Sequence, residues 1–365
     1  MLPKPQIVNL PVYQPGKPIE EVKKELGLEE VIKLASNENP YGCSPRVRAA
    51  IEQELANLSL YPDGSAAELT ETLAGRLGVK NEQIIFGCGS DEIIALIARA
   101  FFLPGDEAVM ADQTFSVYKS NADIEGSVSI EVPLKEGTHD LEAMLGRIGP
   151  KTKVVWICNP NNPTGTIVPH DELVSFLDRV PQQVLVVLDE AYAEYVTDTD
   201  YSNGITLLSQ YPNLVVLRTF SKIYGLASLR IGYGVGQPGV IKLINQVREP
   251  FNTSRIGQAA AKAALADQQF VTDCRSKNRD GITYLNGEFE RLGLRYFPAH
   301  GNFIMVDVKR PGGEMFQALL QLGIIVRAGF PKYPNHVRVT VGSAEQNAKF
   351  VAALEQVLGK SAARV

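Results

Sequence analysis

One lysine and one arginine stand eight residues apart in VVLRTFSKIYGLASLRIGYGVG, Val215–Gly236, among apolar and small residues. Burial disfavours a charged amine, so a lysine in such a segment suits a depressed pKa or a Schiff base. Lys222, beside Thr219, Ser221 and Gly225, has that setting, and Arg230 together with the hydroxyls of Thr219 and Ser221 can close on a phosphate. A second apolar run, VLVVLDEAYAEY, drives into Asp189 and Glu190, with Tyr192 close behind. A carboxylate at the end of a buried strand needs a positive partner, either an arginine of the chain or a charged atom of a ligand. After IIF comes GCGSDEIIALIARA, where Gly87 and Gly89 let backbone amides approach a ligand and Ser90 and Asp91 open a helix whose dipole favours phosphate. An ordinary capped turn would read the same way. A dinucleotide site is the decoy here, but Glu92 stands where the third glycine of G-x-G-x-x-G belongs. CNPNNPTG adds Asn162, an amide donor on a turn framed by Pro160 and Pro163, or simply a turn former. Taken jointly, a lysine for a carbonyl, a cup for a phosphate and an acid for a protonated ring nitrogen describe pyridoxal phosphate.

These residues need a scaffold that brings distant segments to one edge. Between about Ile51 and Gln246, short β-branched runs alternate with stretches of helical spacing. The runs are continuously apolar, as strands buried on both faces are, so the reading is an α/β fold with a mostly parallel seven-stranded sheet covered by helices. In such sheets the crevice lies at the carboxyl ends of the strands, where the residues above fall. Ser44-Pro45 marks one helix start, and Ser65 with Glu68 forms a capping box for another that ends at Gly78. The expected organisation is an arm at 1–40 serving the substrate site and a smaller domain, a large cofactor domain at 41–250, and a small α/β domain at 251–365. The chain has 365 residues, long enough for two cores. Its net charge of -5 speaks against a polyanion-binding surface, so no nucleic acid is expected as a partner. A proline-rich start and no apolar window of membrane length lead to a cytoplasmic expectation, and four scattered cysteines suggest neither a disulfide framework nor a metal site.

SNENPYG, YPDGSAAELTETLA, GCGSDEII, NPNNPTG, DEAYAEY, TFSKIYGLASLRIGYGVG and VRVTVG occur in that order. Together they make the whole chain similar to the fold-type I pyridoxal-phosphate aminotransferases, and within them to the histidinol-phosphate aminotransferase family. The resemblance implies Lys222 as the covalent cofactor lysine and proton carrier, Asp189 against the pyridine nitrogen, and Asn162 with Tyr192 on the phenolic oxygen. It implies Phe115 as the stacking aromatic, with no phenol to offer. Gly89, Ser90, Asp91, Thr219, Ser221 and Arg230 fall around the phosphate, with Tyr61 reaching it from a neighbouring subunit, hence a homodimer with shared sites. Arg338 is implied as the anion-binding arginine, a fork that suits carboxylate or phosphate, with Arg327 and Tyr13 as further substrate contacts. Asn37 reads as a turn-shaping residue outside the site. The implied reaction moves an amino group between histidinol phosphate and 2-oxoglutarate, in ping-pong fashion, with glutamate as the other product.

Three rivals share parts of this pattern. An aromatic amino-acid aminotransferase would use the same cofactor residues, and a phosphothreonine decarboxylase of the same fold would need no keto acid. A transcriptional regulator with an aminotransferase-like domain would need a DNA-binding extension, yet the pattern already begins by Ser36.

Overall fold

The computed structural model describes residues 2–8, 10, 12 and 17–359. Its centre is a seven-stranded sheet of β1 (Ile84–Gly87), β2 (Glu107–Ala111), β3 (Val128–Val132), β4 (Thr152–Cys158), β5 (Leu185–Asp189), β6 (Leu214–Thr219) and β7 (Gly232–Gly236). The spatial order is β1-β7-β6-β5-β4-β2-β3, and β7 alone runs antiparallel to its neighbours. These are the seven apolar runs read from the sequence.

Their continuous hydrophobicity has a direct cause. Along β4, Val154, Trp156 and Cys158 enter one buried cluster while Val155 and Ile157 enter the other, so both faces of the sheet are covered. Apolar burial on two faces accounts for the apolar middle of the central strands, and the charged residue within β6, Arg218, is paired with Glu190. Register then aligns the stopping points: Cys158 pairs with Asp189, and Thr219 and Gly87 both pair with Gly232. Four strand ends carrying polar chemistry therefore meet at one edge.

The helices that flank this edge start where local chemistry allows. Ser44 caps α1 (Pro45–Glu54) by accepting from the Arg46 amide at 3.2 Å, with proline in the first turn, as the sequence suggests. The Ser65–Glu68 capping box does not form. Asp63 instead accepts from the amides of Ser65 and Ala67, a carboxylate being the stronger acceptor, and Glu68 pairs with Lys262 across the surface. The helix it caps, α2 (Ala67–Leu77), ends at Gly78 with φ of 70°. Next come α3 (Ser90–Phe101) and α4 (Val117–Glu125), both packed on the sheet.

A second core gathers Leu285 and Phe289 with a three-stranded antiparallel sheet made from Arg295–Tyr296, Phe303–Asp307 and His336–Thr340. The N-terminal segment joins it: Ile32–Lys33 pairs in parallel with Ile324–Ile325. Helix α5 (Arg255–Leu265) lies after the expected boundary at 250, yet Ala260, Ala261 and Leu265 pack into the core of the large sheet. Val271 and Cys274 of α6 (Gln268–Arg291) do the same, while Leu285 and Phe289 belong to the second core. The change of core thus falls inside one long helix, because an unbroken helical run carries no composition signal at the point where its packing partner changes. Among the described residues no helix is long and apolar enough to cross a membrane.

The loop after β6 is held against the N-terminal segment at one glycine. Gly225 has φ of 72°, and a Cβ there would stand 1.9 Å from the Gly42 carbonyl oxygen. Gly225→Ala is expected to cost about 1–3 kcal/mol in backbone strain alone and more for displacing the Gly42 turn, read as a lowered thermal midpoint. An unchanged midpoint would mean that the contact yields freely.

Candidate active site

Lys222 sits three residues beyond β6, half-buried, with its Nζ donating to the Ser36 carbonyl at 3.3 Å. The same Nζ lies 5.6 Å from the centroid of the Tyr192 ring. Burial, and after it the positive charge of Arg338, push the amine down to about 8. A substantial neutral fraction at ordinary pH is what a lysine needs to attack a carbonyl or accept a proton.

Asp189 ends β5 and is buried. No arginine or lysine among the described residues pairs with it. Its Oδ2 accepts from the Tyr118 hydroxyl at 2.6 Å and its Oδ1 from the Ala191 amide at 3.1 Å. Burial pushes the carboxyl up to about 6, against the opposing pull of those two donors. The arginine salt bridge considered for this position belongs to the next residue. Arg218 donates to Glu190 Oε2 through Nε at 3.0 Å and Nη2 at 2.6 Å, and Glu190 Oε1 accepts from the Gly204 amide. Strand alternation sends the two acids to opposite faces of the sheet, so one is neutralised and the other is left for a ligand.

Around the start of β7 the backbone is pared down to glycine. A Cβ on Gly232 would lie 2.5 Å from the Ser90 nitrogen, and one on Gly89 would lie 2.5 Å from Arg230 Nη2. Arg230, at φ of 51°, donates from Nη1 to Ser221 Oγ at 3.2 Å and pairs with Asp91 at 3.4 Å. Thr219 Oγ1 accepts from the Ser221 amide at 3.0 Å. The arrangement gathers a guanidinium, two hydroxyl residues and the N-terminus of α3, the donor set a phosphate requires. The ordinary-turn reading of GCGSDE leaves the crowding of Gly89 and Gly232 without a purpose.

Between the two cores runs a second network. The Tyr192 hydroxyl accepts from Asn37 Nδ2 at 2.9 Å and from Asn162 Nδ2 at 3.5 Å. Asn162 Oδ1 in turn accepts from Arg338 Nη1 at 2.5 Å, and Arg338 Nη2 donates to the Ala35 carbonyl at 2.6 Å. Asn162 owes its position to a loop with cis bonds before both Pro160 and Pro163. Its neighbour Asn161 is tied by Gln113, Thr114 and Thr164. Asn37 does shape a turn, at φ of 56°, but its side chain also holds Tyr192 and accepts from Thr340, so leaving it outside the site was a misreading. Only the distance between SNENPYG and DEAYAEY in sequence hid that contact.

The remaining expected residues fall at different depths. Phe115 is half-buried and meets Tyr118 edge-on at 5.6 Å. Arg327 exchanges backbone hydrogen bonds with Arg338, and its side chain has no hydrogen-bond partner among the described residues. Tyr61 is 77% exposed, stacked on Phe251 at 4.7 Å, and is not drawn into the Lys222 cluster within one chain. Tyr13 lies outside the described residues. Tyr118 escaped the sequence reading, although its place three residues after Phe115, in the first turn of α4, was the available signal. A cavity of about 910 Å³ bordered by His139, Phe176, Phe297 and His300 contains none of the expected residues.

The model for aminotransferase class I and II matches residues 29–354. The histidinol-phosphate aminotransferase of Brevibacillus brevis is 56% identical over 359 residues, covering 98% of this chain and 99% of its own. That of Bacillus subtilis is 52% identical over 357 residues, with 97% and 99% covered. Among solved structures, the histidinol-phosphate aminotransferase of Sinorhizobium meliloti in complex with pyridoxal-5'-phosphate superposes with a TM-score of 0.91 at 30% identity, covering 98% of each chain.

The depressed Lys222 amine is directly measurable. In the cofactor-free chain, its reaction with an amine-directed reagent should rise with pH to half its maximum near 8. Arg338→Ala should move that midpoint upward, since a repelling charge is gone. A midpoint at 10.5, the ordinary lysine value, would refute the assigned environment.

Proposed function

Because the chain belongs to the class I and II aminotransferases, we propose that it transfers the amino group of L-histidinol phosphate to 2-oxoglutarate, giving imidazole acetol phosphate and L-glutamate, with pyridoxal phosphate as cofactor. The observation that carries the chemistry is a half-buried, weakly basic Lys222 at the same sheet edge as Asp189, a buried acid with no cation of its own. Identity of 52–56% with near-full-length histidinol-phosphate aminotransferases carries the choice of substrate. The alternatives of an aromatic aminotransferase or a decarboxylase have no comparable support.

The bound cofactor supplies a carbonyl that links to amines and a ring that withdraws electrons from the linked carbon. The residues fit it by their chemistry: Ser90, Thr219, Ser221 and Arg230 would take the phosphate, with Gly89 and Gly232 leaving it room. Asp189 would sit opposite the protonated ring nitrogen, Asn162 and Tyr192 would donate to the phenolic oxygen, and Phe115 would cover one face. Lys222 would hold the cofactor through its carbonyl carbon, and its neutral nitrogen, when free, would serve as the base that accepts and returns a proton. Arg338 would bind the substrate anion, phosphate in one half-reaction and carboxylate in the other, with Arg327 and Tyr13 assisting. Since the second substrate enters only after the first product leaves, the kinetics are ping-pong.

A homodimer belongs to the same reading. Leu55, Leu58, Leu60, Tyr61 and Phe251 are exposed apolar residues in or beside one segment, the kind of surface that a second copy covers. Such a copy would deliver Tyr61 to its partner's phosphate. All four cysteines are unpaired, in keeping with a cytoplasmic setting.

Mixing cofactor-loaded protein with stoichiometric L-histidinol phosphate and no keto acid should convert the cofactor spectrum to that of pyridoxamine phosphate. Conversion with phenylalanine or tyrosine but not with histidinol phosphate would move the assignment to an aromatic aminotransferase. Lys222→Ala should bind cofactor and lose turnover. The chain should run as a dimer in light scattering, with Tyr61→Phe reducing cofactor affinity by about tenfold, the effect of one lost charge-assisted hydrogen bond. A monomer with full activity would sink the shared-site reading.

A further inference from the structure

Tyr118 is fully buried on α4 and is spent on two tasks at once. Its ring lies flat on Trp156, with centroids 4.9 Å apart and planes 9° from parallel, and receives Phe115 edge-on at 5.6 Å. Its hydroxyl donates to Asp189 Oδ2 at 2.6 Å. Trp156 on β4 therefore fixes the ring, and the ring fixes both the aromatic and the acid assigned to the cofactor.

The surroundings of Asp189 make that hydroxyl matter. Besides Tyr118, the groups whose charge or dipole reaches the carboxyl are Cys158 across the β4–β5 register, Asp91 at the start of α3, Glu190 on the opposite face of the sheet and Tyr192 three residues on. Asp91 and Glu190 are acids that disfavour a further negative charge, and burial does the same. The thiol of Cys158 is pushed up to about 12 and stays neutral. Among the described residues, two donors favour the ionised carboxylate: the Tyr118 hydroxyl and the Ala191 amide. The amide is part of the backbone, so the hydroxyl is the one side-chain device that keeps Asp189 charged.

We propose that Tyr118 is a positioning residue: its hydroxyl keeps Asp189 ionised and oriented toward the cofactor's ring nitrogen, while its ring sets the height of Phe115. This rests on the pyridoxal-phosphate reading above. With the hydroxyl present, the shared proton resides on the ring nitrogen, opposite a carboxylate. Without it, the proton moves onto Asp189, leaving an uncharged ring that withdraws electrons less well.

The test uses holoenzyme loaded with cofactor carrying nitrogen-15 in the ring, comparing the natural chain with Tyr118→Phe, which retains the ring stack. The nitrogen signal should move from the protonated toward the unprotonated position, and the acid limb of kcat should rise by about one pH unit or more, the worth of a hydrogen bond to a charged group. The sign follows from Asp189, whose charged form loses a donor, so that activity is lost at a higher pH as acid is added. kcat should fall about tenfold, with KM for the amino donor within about twofold, since no substrate contact changes. An unmoved nitrogen signal and acid limb would overturn the proposal and leave Tyr118 as packing. Should Tyr118→Phe not hold cofactor, 3-fluorotyrosine at position 118, a more acidic donor, should move the signal in the opposite direction, and no movement would again overturn it. Failure of histidinol phosphate as amino donor would sink the substrate assignment alone, because the nitrogen signal requires no substrate.

Discussion

A buried carboxylate without a cation of its own is the constraint around which this chain is arranged. Asp189 ends a central strand whose every other residue is apolar, and burial alone would neutralise it. Two donors hold it, and Arg218, on the neighbouring strand, is already committed to Glu190 on the other face. Replacing Glu190's partner would strand a second acid, so the Arg218 pair protects the site by keeping its guanidinium out of it. On the proposed reading, the protonated ring nitrogen of the cofactor would supply the positive charge that Asp189 lacks.

The strand ends supply the rest because sheet register leaves them no choice. With Cys158, Asp189, Thr219 and Gly87 at one edge, the loops that follow them must turn within a few residues of each other. Close turning is what makes glycine necessary at Gly89 and Gly232: any side chain at either would occupy the space of Arg230 or the Ser90 amide. The phosphate recognition proposed at this edge would thus follow from backbone crowding as much as from charge.

The large sheet and most of the residues gathered at its edge were legible in the sequence because each lies within a few residues of a strand that announces itself by its apolar run. Lys222, Asp189 and Ser90 are local to such runs. Asn37 and Tyr118 were not legible, since each acts through a partner far along the chain: Asn37 on Tyr192, and Tyr118 on Asp189, 71 positions later. The Ser65–Glu68 pattern failed for the opposite reason. It was local and well spaced, but a stronger acceptor, Asp63, stood two residues upstream. The boundary at 250 failed because helix periodicity reports an apolar face without saying which core receives it.

Arg338 links the second core to the first, and its charge is felt where the chemistry occurs. It reaches Asn162 and the Ala35 carbonyl, and its positive field ranks after burial in depressing Lys222. An anion seated on Arg338 would offset that field. Lys222 would then regain basicity when an anion is bound, and would keep a larger neutral fraction than an ordinary lysine when none is. On the proposed reading, one arginine between the two cores would couple the charge of a bound anion to the basicity of Lys222.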